Sequence, residues 1–253
     1  MNSVELLKFC AKDKTRGSLD IAIDIIEASF SIAKNLKPQK LITLLKKIMK
    51  NQPSMALVIN ICSKIIYLIE NDKLDEIILL KKDLIDASQK VCSNAIQYLN
   101  NKSICTISYS REVFCSIVNS DCKEVYIGVA HPKKEGETFA LDLKNNGKKV
   151  VLFEDNNYLF GAKMCDVFIS GADAIFDNVF VNKSQTFSLC LFANYFKKPF
   201  YVVANAYKYL SPNLRKYYKI LHMPKKEVTK KDLDVYNVYF EEIPLELVTL
   251  IRG

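Results

Sequence analysis

The sequence predicts an α/β protein with a helical N-terminal domain, residues 1–98, and a Rossmann-like domain, residues 99–253, built on a mostly parallel, doubly wound sheet. Three observations carry that expectation. Through the first hundred residues, apolar side chains recur at the helical period of about 3.6 residues. Past Asn100 the apolar runs shorten to strand length and fill with Val, Ile, Phe and Tyr. These short runs then alternate with helical segments, as βαβ units require.

The helices come first. "SLDIAIDIIEASFSIAKNL" places Ile21, Ile25, Ala28 and Ile32 on one stripe, with Ser18 or Asp20 as its cap. "PQKLITLLKKIMKNQ" begins with Pro38, whose fixed φ and missing N–H suit a first helical turn, and stops before Pro53. "SMALVINICSKIIYLIEN" and "KLDEIILLKKDLIDASQKVCSNAIQYLNN" continue the period, for four or five helices in all. The domain boundary is expected near residues 98–102, with "YLNNKS" as the hinge.

The strands follow: "SICTIS", "EVYIGVA", "KKVVLFE", "VFISGAD", "PFYVVAN" and "NVYFEEI". Several are nearly continuous in apolar residues, as strands covered on both faces are. "REVFCSIVNS", "EGETFALDLKNNG", "NYLFGAKM" and "SQTFSLCLFANYFKK" supply the intervening helices. Gly147 falls where a C-cap glycine belongs.

Composition narrows the function. No run reaches the roughly 18 uninterrupted apolar residues of a membrane helix, and "MNSVELLKFCAKDKTRG" lacks the pattern of a secretory signal. A cytoplasmic protein is expected. The eight cysteines form no CxxC pair or Cys/His cluster, so they read as buried hydrophobes, with neither a disulfide framework nor a metal site. The net charge of +8 comes from dispersed lysines mixed with acids. Direct nucleic-acid binding is therefore not expected, whereas an acidic partner or a small anionic ligand is. GxGxxG and Walker-type loops are absent, and no cofactor is implied.

In the C-terminal domain the candidate site residues lie near predicted strand ends, where open parallel sheets bind ligands. In "TRGSLD", Arg16 and Gly17 precede a helix start that would suit a phosphate; an ordinary N-cap is the alternative. In "TISYSR", Ser108, Ser110 and Arg111 cluster where a strand turns into a helix. In "GADAIFDNVFVNKSQTF", Asp173 follows a strand end, a hairpin-like segment comes next, and Asn182 and Lys183 precede a helix opened by Ser184. Asp173 would serve as a general acid or base, or merely cap a turn. Asn182 and Lys183 are donors to an anionic or hydroxylated ligand, unless Lys183 points to solvent.

Taken in order, these segments resemble the regulatory alpha, beta and delta subunits of translation initiation factor 2B and their archaeal relatives. That family also contains isomerases of methylthioribose 1-phosphate and ribose 1,5-bisphosphate. The most specific stretch is "GADAIFDNVFVNKSQTFSLCLFANYFKKPFYVVANAYKY"; "QPSMALVIN", "TISYS" and "YFEEIPLELVTLI" are similar to weaker signatures. "TISYS" and "PFYVVANAYKY" look most like the alpha-type branch. The resemblance implies a homodimer or higher homo-oligomer formed through the C-terminal domain, contact with the alpha subunit of initiation factor 2, and a pocket for a phosphorylated small molecule, either a sugar phosphate or a nucleotide.

The resemblance also implies where an isomerase would keep its catalytic pair. Asp173 matches the aspartate, but Ser108 occupies the cysteine position and Ile107 replaces a neighbouring histidine. A serine without an adjacent base is a poorer acid or nucleophile than a thiolate. Cys105, three positions earlier, reads as a buried strand residue. His131 stands in "VAHP" where the family has a phosphate-gripping arginine, and "KSQT" lacks the glycine of the family's helix start. The expectation is a non-catalytic regulatory subunit that retains Arg16, Gly17, Asn182 and Lys183 for binding. The alternative is a sugar-phosphate aldose–ketose isomerase using Asp173.

Overall fold

The computed structural model describes residues 1–13 and 16–253. In chain order the elements are α1 (Ser3–Cys10), α2 (Ser18–Ala33), α3 (Pro38–Asn51), α4 (Ala56–Glu70), α5 (Leu79–Ile96), β1 (Ser103–Thr106), α6 (Arg111–Val118), β2 (Glu124–Gly128), α7 (Glu135–Asn145), β3 (Val150–Phe153), α8 (Tyr158–Met164), β4 (Val167–Ser170), β5 (Ala174–Ile175), β6 (Val179–Lys183), α9 (Thr186–Tyr195), β7 (Phe200–Val203), α10 (Pro212–Arg215), β8 (Phe240–Pro244) and β9 (Thr249–Ile251). They form an α/β fold in two compact units.

The helical unit comprises Met1–Ala87, Asp173–Phe176 and Tyr207–Ile220. Ile21, Ile25 and Ala28 of the predicted stripe are buried in α2, which packs against α1 and α4. The α2 cap is Gly17, not Ser18 or Asp20: Gly17 has extended φ/ψ and Ser18 already lies inside the helix. Pro38 is at the start of α3 as expected. The segment Tyr207–Ile220 joins this unit through α4 and its approach. Asn60 Nδ2 donates to the carbonyls of Tyr207 and Tyr209 at 2.7 and 2.8 Å, and the Lys219 N–H donates to Pro53 O at 2.9 Å.

The α/β unit comprises Ser88–Ala172, Asp177–Ala206 and Leu221–Gly253. Its six-stranded parallel sheet runs in the order β3-β2-β1-β4-β7-β9. Ile104, Val125, Ile127, Val167, Ile169 and Val203 fill its core against Val91 and Ala95 of α5, Ile117 of α6 and Phe139 of α7. Because both sheet faces are covered, β4 is buried at every position. Gly147 takes φ +78° just beyond α7, the left-handed geometry expected of a C-cap.

Two strand expectations need correction. "NVYFEEI" does not enter the parallel sheet; β8 pairs antiparallel with β6, Asn182 opposite Glu241. The sixth sheet strand is β9, in the terminal "TLI", which pairs with β7. Apolar content could not distinguish them, because both segments are short and rich in β-branched or aromatic residues.

The cysteine reading is corrected as well. Cys92 on α5 and Cys115 on α6 form a disulfide, with Cα atoms 5.9 Å apart. Their separation of 23 residues has no motif spacing; only the packing of α6 beside α5 brings the pair within bonding range.

Candidate functional site

In an open parallel sheet the strand order reverses at a switch point, and there the loops diverge and leave a crevice. Here that point lies between β1 and β4. The loops after β1 and β2 turn sharply, with Ser108 at φ +62° and Ala130 at φ +63°. Gln185, ahead of α9, takes φ +82° at the position where the glycine of the helix start is missing. Non-glycine residues hold this conformation at a cost of about 1–2 kcal/mol.

These turns surround a cavity of about 190 Å³, lined by Ile107, Ala130, His131, Pro132, Asp155 and Tyr158 on one side. Lys183, Ser184, Gln185 and a strap of Glu227–Val228 and Asn237–Tyr239 line the other. That is below the roughly 300–1,000 Å³ of drug-sized sites and suits a small ligand.

Lys183 is the centre of the arrangement. It ends β6, is 4% exposed, and its Nζ lies 2.6 Å from Glu135 Oε1. The same carboxylate oxygen accepts a hydrogen bond from Ser108 Oγ at 3.3 Å. Glu135 Oε2 is buried without a hydrogen-bond partner. The Tyr239 ring stands 5.0 Å from Lys183 Nζ, and its hydroxyl donates to Glu227 Oε2 at 2.6 Å. Burial, then that bond, pushes the Tyr239 hydroxyl pKa upward, while the Tyr239 hydrogen bond pulls Glu227 down.

Gly136 explains how Glu135 comes so close. Its N–H donates to Val129 O at 3.1 Å, and a Cβ there would lie 2.0 Å from the Gly128 carbonyl oxygen. The first turn of α7 can therefore press on the end of β2 only with glycine at this position.

Two other carboxylates occupy places that would suit an anion. Asp155 accepts the N–H groups of Ala130 and His131 at 2.8 and 2.7 Å. Glu241 accepts the Phe187 N–H at 2.8 Å in the first turn of α9; burial raises its pKa, with the α9 backbone N–H groups opposing. The His131 side chain points outward, 3.4 Å from Glu154. Tyr158 lines the cavity, and its hydroxyl is buried against Gly128 at the end of β2.

The sequence-predicted residues separate into groups. Ser108 and Lys183 meet at Glu135. Asn182 is buried and donates to Thr186 Oγ1 at 3.0 Å, bracing the turn into α9. Ser110 caps α6, accepting from the Val113 N–H at 3.4 Å and donating to Glu112 at 3.3 Å, and exposed Arg111 opens that helix. The helix expected to open at Ser184 begins at Thr186; Ser184 Oγ donates instead to Val238 O at 3.0 Å.

Arg16, Gly17 and Asp173 belong to the helical unit. Arg16 Nε and Nη1 lie 2.5 and 2.7 Å from Asp13 and Asp24, Nη2 is buried without a partner, and Thr15 of the same motif lies outside the described residues. Cys105 is fully buried in β1, and burial pushes its thiol well above the ordinary range. Among the described residues, no helix is long and apolar enough to cross a membrane, and no cluster of His, Cys, Asp and Glu is placed to hold a metal.

Residues 14–252 match the Initiation factor 2 subunit family. The chain belongs to that family. It is 26% identical over 260 residues to a translation initiation factor eIF-2B subunit 2-like protein of Pyrococcus furiosus, covering 97% of this chain and 92% of that one. The fold is similar to the crystal structure of the translation initiation factor eIF-2B of Pyrococcus horikoshii OT3, with a TM-score of 0.84 and 24% identity over 99% and 94% of the two chains. It is also similar to the 5-methylthioribose 1-phosphate isomerase of Pyrococcus horikoshii OT3, with a TM-score of 0.78 and 19% identity over 99% and 83%.

Proposed function

We propose that this family member is a non-catalytic, initiation factor 2B-like regulatory subunit. It acts in the cytoplasm, binds a small phosphorylated molecule in the cavity beside Lys183, and engages an initiation factor 2 partner. The observation that carries the reading is the state of Ser108. Its hydroxyl donates to Glu135, a carboxylate already ion-paired with Lys183 and so a poor base for activating it. The neighbouring thiol, Cys105, is buried and held protonated by that burial. A cationic side chain and a hydroxyl converging at one point suit a phosphate oxygen.

The isomerase reading keeps one supporting observation: Asp173 follows the carboxyl end of β4 through Gly171 and Ala172. For the oligomer, exposed Leu159, Phe160 and Met164 of α8 with Leu191 and Tyr195 of α9 give the α/β unit apolar surface to cover.

A thermal-shift screen of sugar phosphates and nucleotides tests the ligand. A compound that binds the folded state raises Tm with concentration, and flat profiles across the set would refute the binding reading. Co-purification of the folded chain with the alpha subunit of initiation factor 2 tests the partner; a clean negative would place the chain outside translation.

A further inference from the structure

We infer that Glu135 is a resident anion in the ligand site, and that a phosphorylated ligand binds by exchange with its carboxylate. The inference rests on the reading of the cavity as a site for a phosphorylated molecule. Glu135 Oε1 is the common acceptor for Lys183 Nζ at 2.6 Å and Ser108 Oγ at 3.3 Å. One oxygen atom thus stands where an incoming phosphate oxygen would find both donors. A buried ammonium left alone is strongly disfavoured, and the tethered carboxylate is what neutralises Lys183.

Glu135 is also suited to leave. Its Oε2 is buried with no partner, so the carboxylate is only half satisfied where it stands. Its side chain remains 25% exposed, against 6% for Lys183, so a rotation about its own bonds carries it to water while the lysine stays. Departure frees the Lys183 ammonium and the Ser108 hydroxyl together.

The exchange selects for charge. Asp155 and Glu227 line the cavity, so a neutral sugar gains little by evicting Glu135 from Lys183. A phosphate monoester dianion brings two charges to Lys183 where the carboxylate brings one. Glu135 is accordingly a specificity-determining residue: it weakens binding of every anion and leaves dianions as the class that competes.

The test measures binding of inorganic phosphate, ribose 5-phosphate and ribose by calorimetry, on the full wild-type chain, Glu135→Gln and Lys183→Met, at one pH and ionic strength. If the carboxylate holds the site in nine molecules of ten, removing it raises apparent affinity about tenfold. We expect Glu135→Gln to bind phosphate and ribose 5-phosphate at least that much tighter than wild type, ribose to bind neither protein, and Lys183→Met to bind no anion. Equal or weaker anion binding by Glu135→Gln, with wild type binding, overturns the exchange and leaves the phosphorylated-ligand reading standing. Failure of both proteins to bind either anion overturns the two together. Should Glu135→Gln not fold, Glu135→Asp, with its carboxylate drawn back by one methylene, takes its place. It is then expected to bind tighter than wild type, and no gain overturns the proposal.

Discussion

Replacing Lys183 with Met is the substitution that most sharply tests the architecture of the site. The side chain is 6% exposed and its Nζ is 2.6 Å from Glu135 Oε1. Methionine keeps most of the volume, so little cavity forms and the loss is electrostatic. Removing one member of a buried pair costs about 3–5 kcal/mol, because the survivor is left charged and uncompensated. Glu135 is 25% exposed and can turn to water only by giving up the Ser108 hydrogen bond as well, so the lower end, about 3 kcal/mol, is expected. For a unit of this size that is a fall in Tm of roughly 6–12 °C. Adding Glu135→Gln to Lys183→Met removes the stranded charge, and the double variant should recover all but about 1 kcal/mol, the worth of an ordinary hydrogen bond. Urea unfolding of the four proteins, followed by circular dichroism, gives the cycle. A single-variant loss below about 1 kcal/mol, the range of a solvated surface pair, would refute the burial argument. So would a double variant no better than Lys183→Met.

Other expectations follow from the same geometry. Gly136→Ala sets a Cβ against the Gly128 carbonyl at 2.0 Å; backbone on both sides must part, with a loss of about 1–3 kcal/mol in urea unfolding, and an unchanged midpoint would contradict the close approach of α7 to β2. Breaking Cys92–Cys115, which closes a 23-residue separation, should lower stability by about 3 kcal/mol on chain-entropy grounds; equal denaturation midpoints with and without reductant would show that the bond is not formed. Cys105 is buried with its thiol raised well above its ordinary range. It should stay protonated, and unmodified by iodoacetamide, in the folded chain at pH 7–8, reacting only on unfolding; mass spectrometry showing native-state labelling would reopen it as a reactive group.

What the sequence revealed, and what it hid, divides along one physical line. Features set by local backbone chemistry were legible: Pro38 at a helix start, Gly147 at a helix end, the βαβ alternation, and the run Asn182-Lys183 just ahead of a helix. Features set by what packs opposite were not. Lys183 could be named as a donor, but its partner Glu135 lies 48 positions earlier, in "KKEGE", where acid and glycine read as a plain helix start. The Asp155 bonds to the amides after β2 and the Glu241 bond at the start of α9 are equally invisible along the chain. So is the disulfide between two helices.

Gln185 is an intermediate case. "KSQT" lacks the glycine of the family's helix start, yet the backbone keeps the left-handed turn without it. The tertiary frame holds that conformation: β6 leads into it on one side, and on the other Glu241 fixes the first turn of α9. Arg16 shows the opposite limit. Its type and position suggested a phosphate contact, whereas Asp13 and Asp24 now flank its guanidinium, a pairing that no single helix pattern announces.

The site is proposed to bind without turning over. Its most direct test incubates the purified chain with ribose 1,5-bisphosphate and with methylthioribose 1-phosphate, and follows both by proton and phosphorus NMR. No ketose product is expected above the no-protein control over hours, with at least one phosphorylated compound showing saturable broadening that Lys183→Met abolishes. Ketose formation at an enzymatic rate, lost in Asp173→Asn, would contradict it and make the chain an isomerase.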